Sequence, residues 1–393
     1  MALTRRARPG ASYDGRVTRR TLALSCVLAA CSADEPAPLD VDAASDAASE
    51  TLVVDSGSGD ALDATDVMDG ARDSAADTLA DAGRPLDEWE ALFQEKFVPN
   101  TTLTEPASAS YHCLATASAL RRARAGASFS PAFVAKLEAA TKASAGALVA
   151  SAPTWGGDGW GLDAAWDAFG DGTTNPATTV YAFQTGLAIW CLAEAGDVLA
   201  DPGMKAVAKK ALDAYRTAAF VAYGKGYPID CTSCGYFWYS RSKSDVGRYV
   251  KNTNVEMAVA ALVVDRWQGD ATNKAVGAQA AASHYGEIVS YSNYGYLGRY
   301  DTSYVAGASL FDDHNSFEVY LLFRAGQLLA SVSFQTAAKT HYDAYAPKGS
   351  TAYVAYAACH LARVHAPAAK ACRDYVAASG ATNPAGVGLV MDY

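Results

Sequence analysis

Residues 160–197 read WGLDAAWDAFGDGTTNPATTVYAFQTGLAIWCLAEAGD. The first half of this stretch is rich in Gly, Asp and Trp, whereas the second half, from about Ala177, is rich in alanine with apolar residues at helical spacing. Alanine has the highest helix propensity, and an apolar stripe with a period near 3.6 marks a helix that packs on a core. The stretch therefore predicts an aromatic loop that leads into a buried helix.

The same alternation of aromatic loops and alanine-rich runs recurs along the chain and predicts five helix pairs. The first helices of the pairs are predicted to begin near Ala107, Ala177, Thr253, Asn315 and Thr351. The second helices are predicted to begin near Pro131, Pro202, Ala271, Phe334 and Ala368. Ser130 and Asp201 precede two of these prolines as N-caps, and a short helix is predicted from Pro85 to Lys96.

Repeated helical hairpins must stack on one another to bury their apolar faces, either as an open superhelix or as a closed ring. Long aromatic loops precede the first helices, and a ring would gather those loops on one face. β-Strand signals are weak, with one short strand predicted around Tyr236 to Ser240. The predicted fold class is therefore all-α, an α/α toroid of five to six helical hairpins.

Three segments carry a resemblance to known proteins. The segments are residues 160–197, then GYFWYSRS at 235–242 with KNTNVEMAVAAL at 251–262, and DDHNSFEVYLLFRAG at 312–326. They are similar to the six-hairpin glycosidases, polysaccharide lyases and glucuronyl epimerases. The resemblance lies in the placement of loops and helix starts. It implies an α/α toroid and a polysaccharide ligand. Five helix pairs are predicted here, one fewer than such a closed ring usually has.

The loops offer candidate ligand-binding side chains, because aromatic faces suit sugar rings and polar groups suit their hydroxyls. The candidates are Trp155, Asp158, Trp160, Tyr236, Trp238, Tyr239, Arg241, Asn254, Arg299 and Asn315. An equally weighted alternative places the tryptophans in the core, and Asn254 is alternatively a helix cap. Asp167, Asp171 and Asn175 leave calcium open, although their spacing does not match an EF-hand. Asn175, which precedes Pro176, is alternatively a helix N-cap. The prediction is that no metal or other cofactor is bound.

The densest ionisable cluster predicts the catalytic residues, if the protein is an enzyme. It comprises His314, Tyr300, Asp312 and Asp313. His314 or Tyr300 would serve as the base in elimination or epimerisation of a uronate, and Asp312 or Asp313 paired with Asp158 or Asp163 would serve in glycoside hydrolysis. A glycan-binding protein without catalysis and a helical protein-interaction scaffold are the alternatives. The motifs of serine hydrolases, zinc proteases, P-loop proteins and dinucleotide-binding proteins are absent, so a nucleotide partner is not expected.

The N-terminal residues 1–30 predict an export signal. Six arginines precede the apolar run Leu22–Ala30, which is too short to span a bilayer as a helix. Leu28-Ala29-Ala30-Cys31 resembles the lipobox of bacterial lipoproteins, which implies lipidation at Cys31. The membrane is thus a predicted partner, and the predicted location is the cell envelope, with the outer membrane favoured because Ser32 rather than aspartate follows Cys31. Export by the general secretory route or the twin-arginine route stays open.

Residues 31–86 predict a disordered acidic linker, and residues 87–393 predict the folded domain. Between residues 32 and 84 the linker carries fourteen acidic residues and two arginines, so it accounts for the acidic charge of the chain, which totals −10. Such a segment cannot bury enough apolar surface to offset its conformational entropy. Neither part carries the basic patch that nucleic-acid binding requires.

An even number of cysteines in an exported domain indicates disulfides. The candidates are Cys113, Cys191, Cys231, Cys234, Cys359 and Cys372. Cys231 and Cys234 are expected to staple a local loop, and Cys359 and Cys372 to bridge neighbouring helices. The remaining pairing cannot be chosen from spacing.

Overall fold

The computed structural model describes residues 84–99, 103–169, 171–223, 233–290, 297–299, 312–344 and 352–379. Of residues 223, 287–290, 297–299, 312–317, 344, 352–356 and 378–379 it describes only the backbone. The export signal, Cys31 and nearly all of the acidic linker lie outside these residues. Within the described residues, no helix is both long enough and apolar enough to cross a bilayer.

Five helical hairpins follow one short helix, α1, which spans Glu88–Lys96. The first helices of the hairpins are α2 (Pro106–Arg124), α4 (Ala182–Val198), α6 (Lys251–Gln268), α8 (Asp312–Leu328) and α10 (Ala352–Leu361). The second helices are α3 (Pro131–Ser151), α5 (Pro202–Ala219), α7 (Ala271–Ser290), α9 (Val332–Ala344) and α11 (Ala366–Ser379). The Ser130 and Asp201 side chains accept main-chain N–H groups at the starts of α3 and α5, which confirms both N-caps.

The hairpins form two layers. Each first helix packs on the first helix of the next hairpin, from α2 through α10, and each also packs on its own second helix. The first helices are therefore the inner layer, and every residue from Lys251 to Val264 in α6 is buried. Alanine and valine supply seven of these fourteen buried residues, so α6 can approach its neighbouring inner helices closely. This two-layered arrangement confirms the predicted all-α toroid fold class.

Helix α1 lies at the seam between the first and fifth hairpins. Phe93 packs edge-on against Phe133 of α3, with ring centroids 6.1 Å apart. On the other side, Arg363, which follows α10, pairs with Asp87, and Arg373 of α11 pairs with Glu88. The predicted short helix is confirmed, and it joins the two ends of the array.

Two short antiparallel ribbons lie in the connections between hairpins. Strand β1 (Phe220–Tyr223) pairs with β2 (Cys234–Phe237), and β3 (Arg248–Val250) pairs with β4 (Leu297–Arg299). The strand predicted at Tyr236–Ser240 therefore begins and ends earlier than expected. The Trp238 N–H still donates to the carbonyl of Ala219, its partner in register, but Ala219 is the last residue of α5, so the strand ends at Phe237.

Two disulfides tie helices together. Cys113–Cys191 links inner helices α2 and α4, and Cys359–Cys372 links α10 to α11 as predicted. Cys234 is also disulfide-bonded, whereas its predicted partner Cys231 lies outside the described residues.

The C-terminal ends of the inner helices meet at what we call the closed end, formed by Arg121, Glu194, Trp267 and Arg324. The Glu194 carboxylate accepts from Arg121 at 2.7 Å and from the Trp267 indole at 3.2 Å. The Arg324 guanidinium lies 3.8 Å from the same carboxylate. One side chain from each of three inner helices thus contacts a single buried charge on a fourth, which fixes the mutual positions of the four helices.

Candidate functional site

The opposite face, which we call the mouth face, carries the loops that enter the inner helices. Residues 155–181 form the first mouth loop and residues 233–250 the second. Trp166 and Phe169 from the first loop surround Tyr239 from the second, with ring centroids 5.8 and 5.5 Å away. Tyr181 completes this cluster at 5.6 Å from Tyr239. The aromatic residues therefore bind the two loops into one unit.

A buried polar node joins the same two loops. Asp245, only 2% exposed, accepts from the Asn175 amide at 2.8 Å and from the Ser240 hydroxyl at 2.5 Å. The Asn175 oxygen in turn accepts from Ser244 at 2.6 Å. Asn175 is thus a bridge between loops and not a helix cap, and α4 begins at Ala182 rather than near Ala177.

Two ion pairs cross between the loops. Arg241 donates to Asp158 at 2.6 Å, and Arg248 pairs with Asp171. The Arg248 guanidinium also lies over the Phe169 ring, 5.0 Å from its centroid. The first loop thus supplies both aspartates and the second loop both arginines, so each pair holds the loops together.

An open groove runs across the mouth face where the loops meet, and we call it the mouth groove. It is lined by Trp155, Asp158, Thr178, Thr179, Arg241 and Ser242, among others. The Trp155 indole is 7% exposed and donates to the Leu162 carbonyl at 3.3 Å, so it presents only an edge. Three residues predicted from the two loops, Trp155, Asp158 and Arg241, therefore share one surface.

Three other predicted ligand-binding residues are built into the scaffold, which corrects their assignment. Trp160 is fully buried and its indole donates to the Leu148 carbonyl at 3.0 Å. Tyr236 is fully buried in β2, with its ring 4.3 Å from that of Tyr249. Asn254 is 1% exposed and its oxygen accepts the Phe237 N–H at 2.8 Å. Its amide fixes β2 on α6, so Asn254 is neither a ligand contact nor a helix cap.

Tyr239 and Trp238 take intermediate roles. Tyr239 is 5% exposed at the centre of the aromatic cluster. Trp238 is half-buried, and its carbonyl accepts from the Tyr215 hydroxyl at 2.8 Å. Tyr239 therefore supports the groove from beneath.

The alternative calcium ligands are occupied by the chain itself. The Asp167 carboxylate accepts main-chain N–H groups of Phe169, Asp171 and Gly172 at 3.3, 3.3 and 2.7 Å. Asp171 pairs with Arg248, and Asn175 bonds Asp245. Within the described residues, no group of three or more metal-ligating side chains is clustered.

The carboxyl of Glu105 was not singled out by the sequence. It caps α2 by accepting from Ser108 at 2.6 Å and from Ala107 at 3.1 Å. Burial, with a smaller contribution from the nearby Asp163 carboxylate, raises the pKa of Glu105 in spite of these hydrogen bonds. Asp163 is exposed in the first mouth loop. The proline after Glu105 is the sequence signal that indicates the cap.

Glu256 is a second ionisable residue of interest, on the second turn of α6. It is 1% exposed, and burial raises its pKa well above the usual range. It packs on Gly186 of α4, where any side chain would collide with it. The pairing of a carboxyl with a glycine on the facing helix could not be seen in the sequence.

The predicted catalytic residues cannot be placed. Tyr300 lies outside the described residues, and Asp312, Asp313, His314 and Asn315 form the first turn of α8 by backbone alone. Arg299 ends β4, again as backbone alone. These roles stay predictions.

Four of the five histidines other than His314 are buried. His112, His284, His341 and His360 are at most 5% exposed. His112 hydrogen-bonds Ser144 at 2.7 Å. His365 pairs with Asp343 at 2.7 Å.

No protein-family model matches the sequence. No curated protein matches it either. Among solved structures, the unsaturated glucuronyl hydrolase of Bacillus sp. GL1 is similar with a TM-score of 0.40 and 13% identity over 61% of this chain. The chain spans 62% of that hydrolase. The cellobiose 2-epimerase of Bacillus thermoamylovorans B4167 is similar with a TM-score of 0.44 and 10% identity, over 72% of this chain and 80% of that one.

Proposed function

We propose that this protein is an envelope-anchored carbohydrate-active protein that binds a polysaccharide at its mouth face. The observation that carries the proposal is the mouth groove. Two loops separated by a helical hairpin converge there and offer an aromatic edge, a carboxylate, a guanidinium and three hydroxyls. Sugar rings are recognised by such combinations of apolar edge and closely spaced polar groups.

The chemistry that the described residues favour is glycoside hydrolysis. Hydrolysis needs one protonated and one ionised carboxyl beside the scissile bond. Glu105, whose pKa burial and the nearby Asp163 carboxylate raise, and the exposed Asp163 place two neighbouring carboxyl groups on the mouth face. Elimination or epimerisation of a uronate by His314 or Tyr300 is the alternative enzyme chemistry.

A non-catalytic glycan-binding protein is the second candidate function. It is favoured by the Asp158–Arg241 pair, which leaves the groove with side chains that bind hydroxyls but no described nucleophile. The hydrolase and the non-catalytic binding protein would both bind the glycan in the mouth groove, and only the hydrolase would cleave it.

Incubation of the mature chain with neutral and uronic polysaccharides separates these functions. New reducing ends indicate hydrolysis, a new absorbing double bond indicates elimination, and binding without either product indicates a glycan-binding protein. Arg241→Ala is expected to weaken binding at least tenfold, whereas Arg373→Ala, which breaks an exposed pair with Glu88 at the seam, should leave binding unchanged. Absence of binding and turnover across the panel would refute the proposal.

The anchoring proposal has its own test. The arginine-rich start, the apolar run and the LAAC sequence support lipidation of Cys31, and dual acylation provides stable membrane attachment. Cys31→Ser is expected to move the protein from the membrane fraction to the soluble fraction. Equal partitioning of both forms would contradict the anchor and leave the groove proposal unaffected.

A further inference from the structure

We infer that the mouth groove selects an uncharged glycan over a uronic one. This inference rests on the carbohydrate function proposed above and narrows its substrate class. It also favours hydrolysis, since elimination requires a carboxylate on the sugar.

The first step is that Arg241 is already neutralised. A free arginine in a groove would attract a sugar carboxylate by a bidentate charge-assisted contact. Here the guanidinium donates to Asp158 at 2.6 Å, and both side chains are only about a quarter exposed. A uronate would have to displace Asp158 and leave that carboxylate facing a second negative charge.

The second step is that Arg248 is held in the same way. Asp171 pairs with it, and the Phe169 ring lies against its guanidinium. Both arginines of the second mouth loop thus have partners supplied by the first and are parts of the loop scaffold. Lys243, the remaining cation of that loop, is exposed and does not line the groove.

Among the described residues, Arg241 is the one cation that lines the groove. Glu105 and Asp163 are carboxyl groups and add no cation to this face. Lys251 is buried against His284, beside an outer helix. Lys210 of α5 donates to the Gly157 carbonyl at 3.0 Å and does not line the groove. What the groove presents to a ligand is therefore mainly hydroxyls and a neutral ion pair, which match sugar hydroxyls.

Matched ligands test the inference directly. Each neutral oligosaccharide of the panel is compared with its C6-carboxylated counterpart of equal length by calorimetry on the mature chain. The neutral member is expected to bind at least tenfold more tightly. Its affinity should also be nearly independent of salt, because no charge is neutralised on binding. Equal or tighter binding of the carboxylated members would overturn the inference while leaving the carbohydrate function intact, whereas no binding by any pair would overturn both.

Releasing the arginine should change the selectivity. Asp158→Asn frees Arg241 and is expected to shift the neutral-to-uronic ratio at least threefold towards the uronic ligand. Asp171→Asn is a second variant with the same expected direction in case the first fails to fold. Asp213→Asn, which breaks a pair with Lys209 on the outer helix α5, should leave the ratio unchanged. An unaltered ratio in both loop variants, with the fold intact by circular dichroism, would remove the ion pairs from the explanation.

Discussion

The buried Glu256 side chain fits between α4 and α6 because the residue that faces it, Gly186, has no side chain. A Cβ added at Gly186 would lie 2.7 Å from the Glu256 carboxyl oxygen Oε1 and 3.3 Å from Met257 Sδ. Close approach of α4 and α6 thus requires glycine at 186, although glycine lowers helix propensity. The buried acid and the glycine are one structural unit.

Gly186→Ala is therefore expected to destabilise the fold by about 1–3 kcal/mol, because the inserted methyl group overpacks the interface. Denaturant unfolding measures the change. Gly146→Ala is the matched control, since Gly146 lies inside α3 with nothing within 4 Å of its added Cβ, and it should stabilise by about 0.5–1 kcal/mol. Stabilisation by both substitutions would show that α4 and α6 are less tightly packed than described.

The buried histidines predict sensitivity to acid. Burial lowers the pKa of His341 to about 4 and lowers the pKa of His284 and His360 well below the usual value. The folded state leaves these rings neutral while the unfolded chain protonates them below about pH 6.5, so stability falls as pH falls. For His341 the loss is about 1.4 kcal/mol per pH unit between about pH 6.5 and about pH 4.

His341→Gln is expected to flatten the pH dependence of the unfolding free energy across that window. Denaturant melts at successive pH values measure the slope. His365→Gln, in the turn before α11, controls for removal of a histidine as such. An unchanged slope in His341→Gln would mean that this ring is accessible to solvent in the folded state.

At the scale of elements, local sequence signals predicted a helix start correctly where the capping contact is local. The prediction failed where a contact from a distant residue determines the backbone. Pro131 and Pro202 begin their helices as predicted, because a capping side chain acts on the next three residues. Pro176 looked equivalent, but Asn175 is held by Asp245, seventy residues away. Asp158 and Arg241 were likewise nominated separately as ligand contacts. Their pairing across 83 residues depends on a fold that no local pattern specifies.

Helix α1 offers an element-scale prediction. The Asp87 side chain caps it by accepting the main-chain N–H groups of Trp89 and Glu90. The Glu90 carboxylate in turn accepts the Asp87 main-chain N–H. Asp87→Ala removes this cap and the partner of Arg363, with an expected loss of about 2 kcal/mol. Glu88→Ala, which breaks only an exposed pair with Arg373, is expected to cost under about 0.5 kcal/mol. Equal losses in thermal and denaturant melts would contradict the role of the cap.

At the scale of the whole molecule, cross-links between distant residues hold the array in its arrangement. Cys113 and Cys191 are 78 residues apart and join two inner helices, whereas Cys359 and Cys372 are 13 apart within one hairpin. The closed end adds a polar junction among α2, α4, α6 and α8. Sequence indicated that cysteines would pair, but only the fold decides that Cys113 and Cys191 meet.

Loss of the longer cross-link should be the more damaging. Each disulfide stabilises the fold because it lowers the conformational entropy of the unfolded chain. The expected stabilisation is about 4.5 kcal/mol for Cys113–Cys191 and about 3 kcal/mol for Cys359–Cys372. Double serine variants of each pair, compared by denaturant unfolding, measure the difference. A larger loss for the Cys359–Cys372 variant would show that native packing, and not loop length, dominates.

The position of α1 also determines how the protein responds to tension. The first described residue, Arg84, pairs with Glu90, and its carbonyl accepts the Ser128 N–H in the turn between α2 and α3. Asp87 pairs with Arg363 after α10. A pull on the N-terminal chain is therefore transmitted first to α1 and to this turn of the first hairpin, and the mouth loops lie beyond them. Detachment of α1 under force would expose Phe93 and Phe133, while the Cys113–Cys191 disulfide still links the inner helices α2 and α4. Helix α1 is therefore expected to unfold before the inner helices separate.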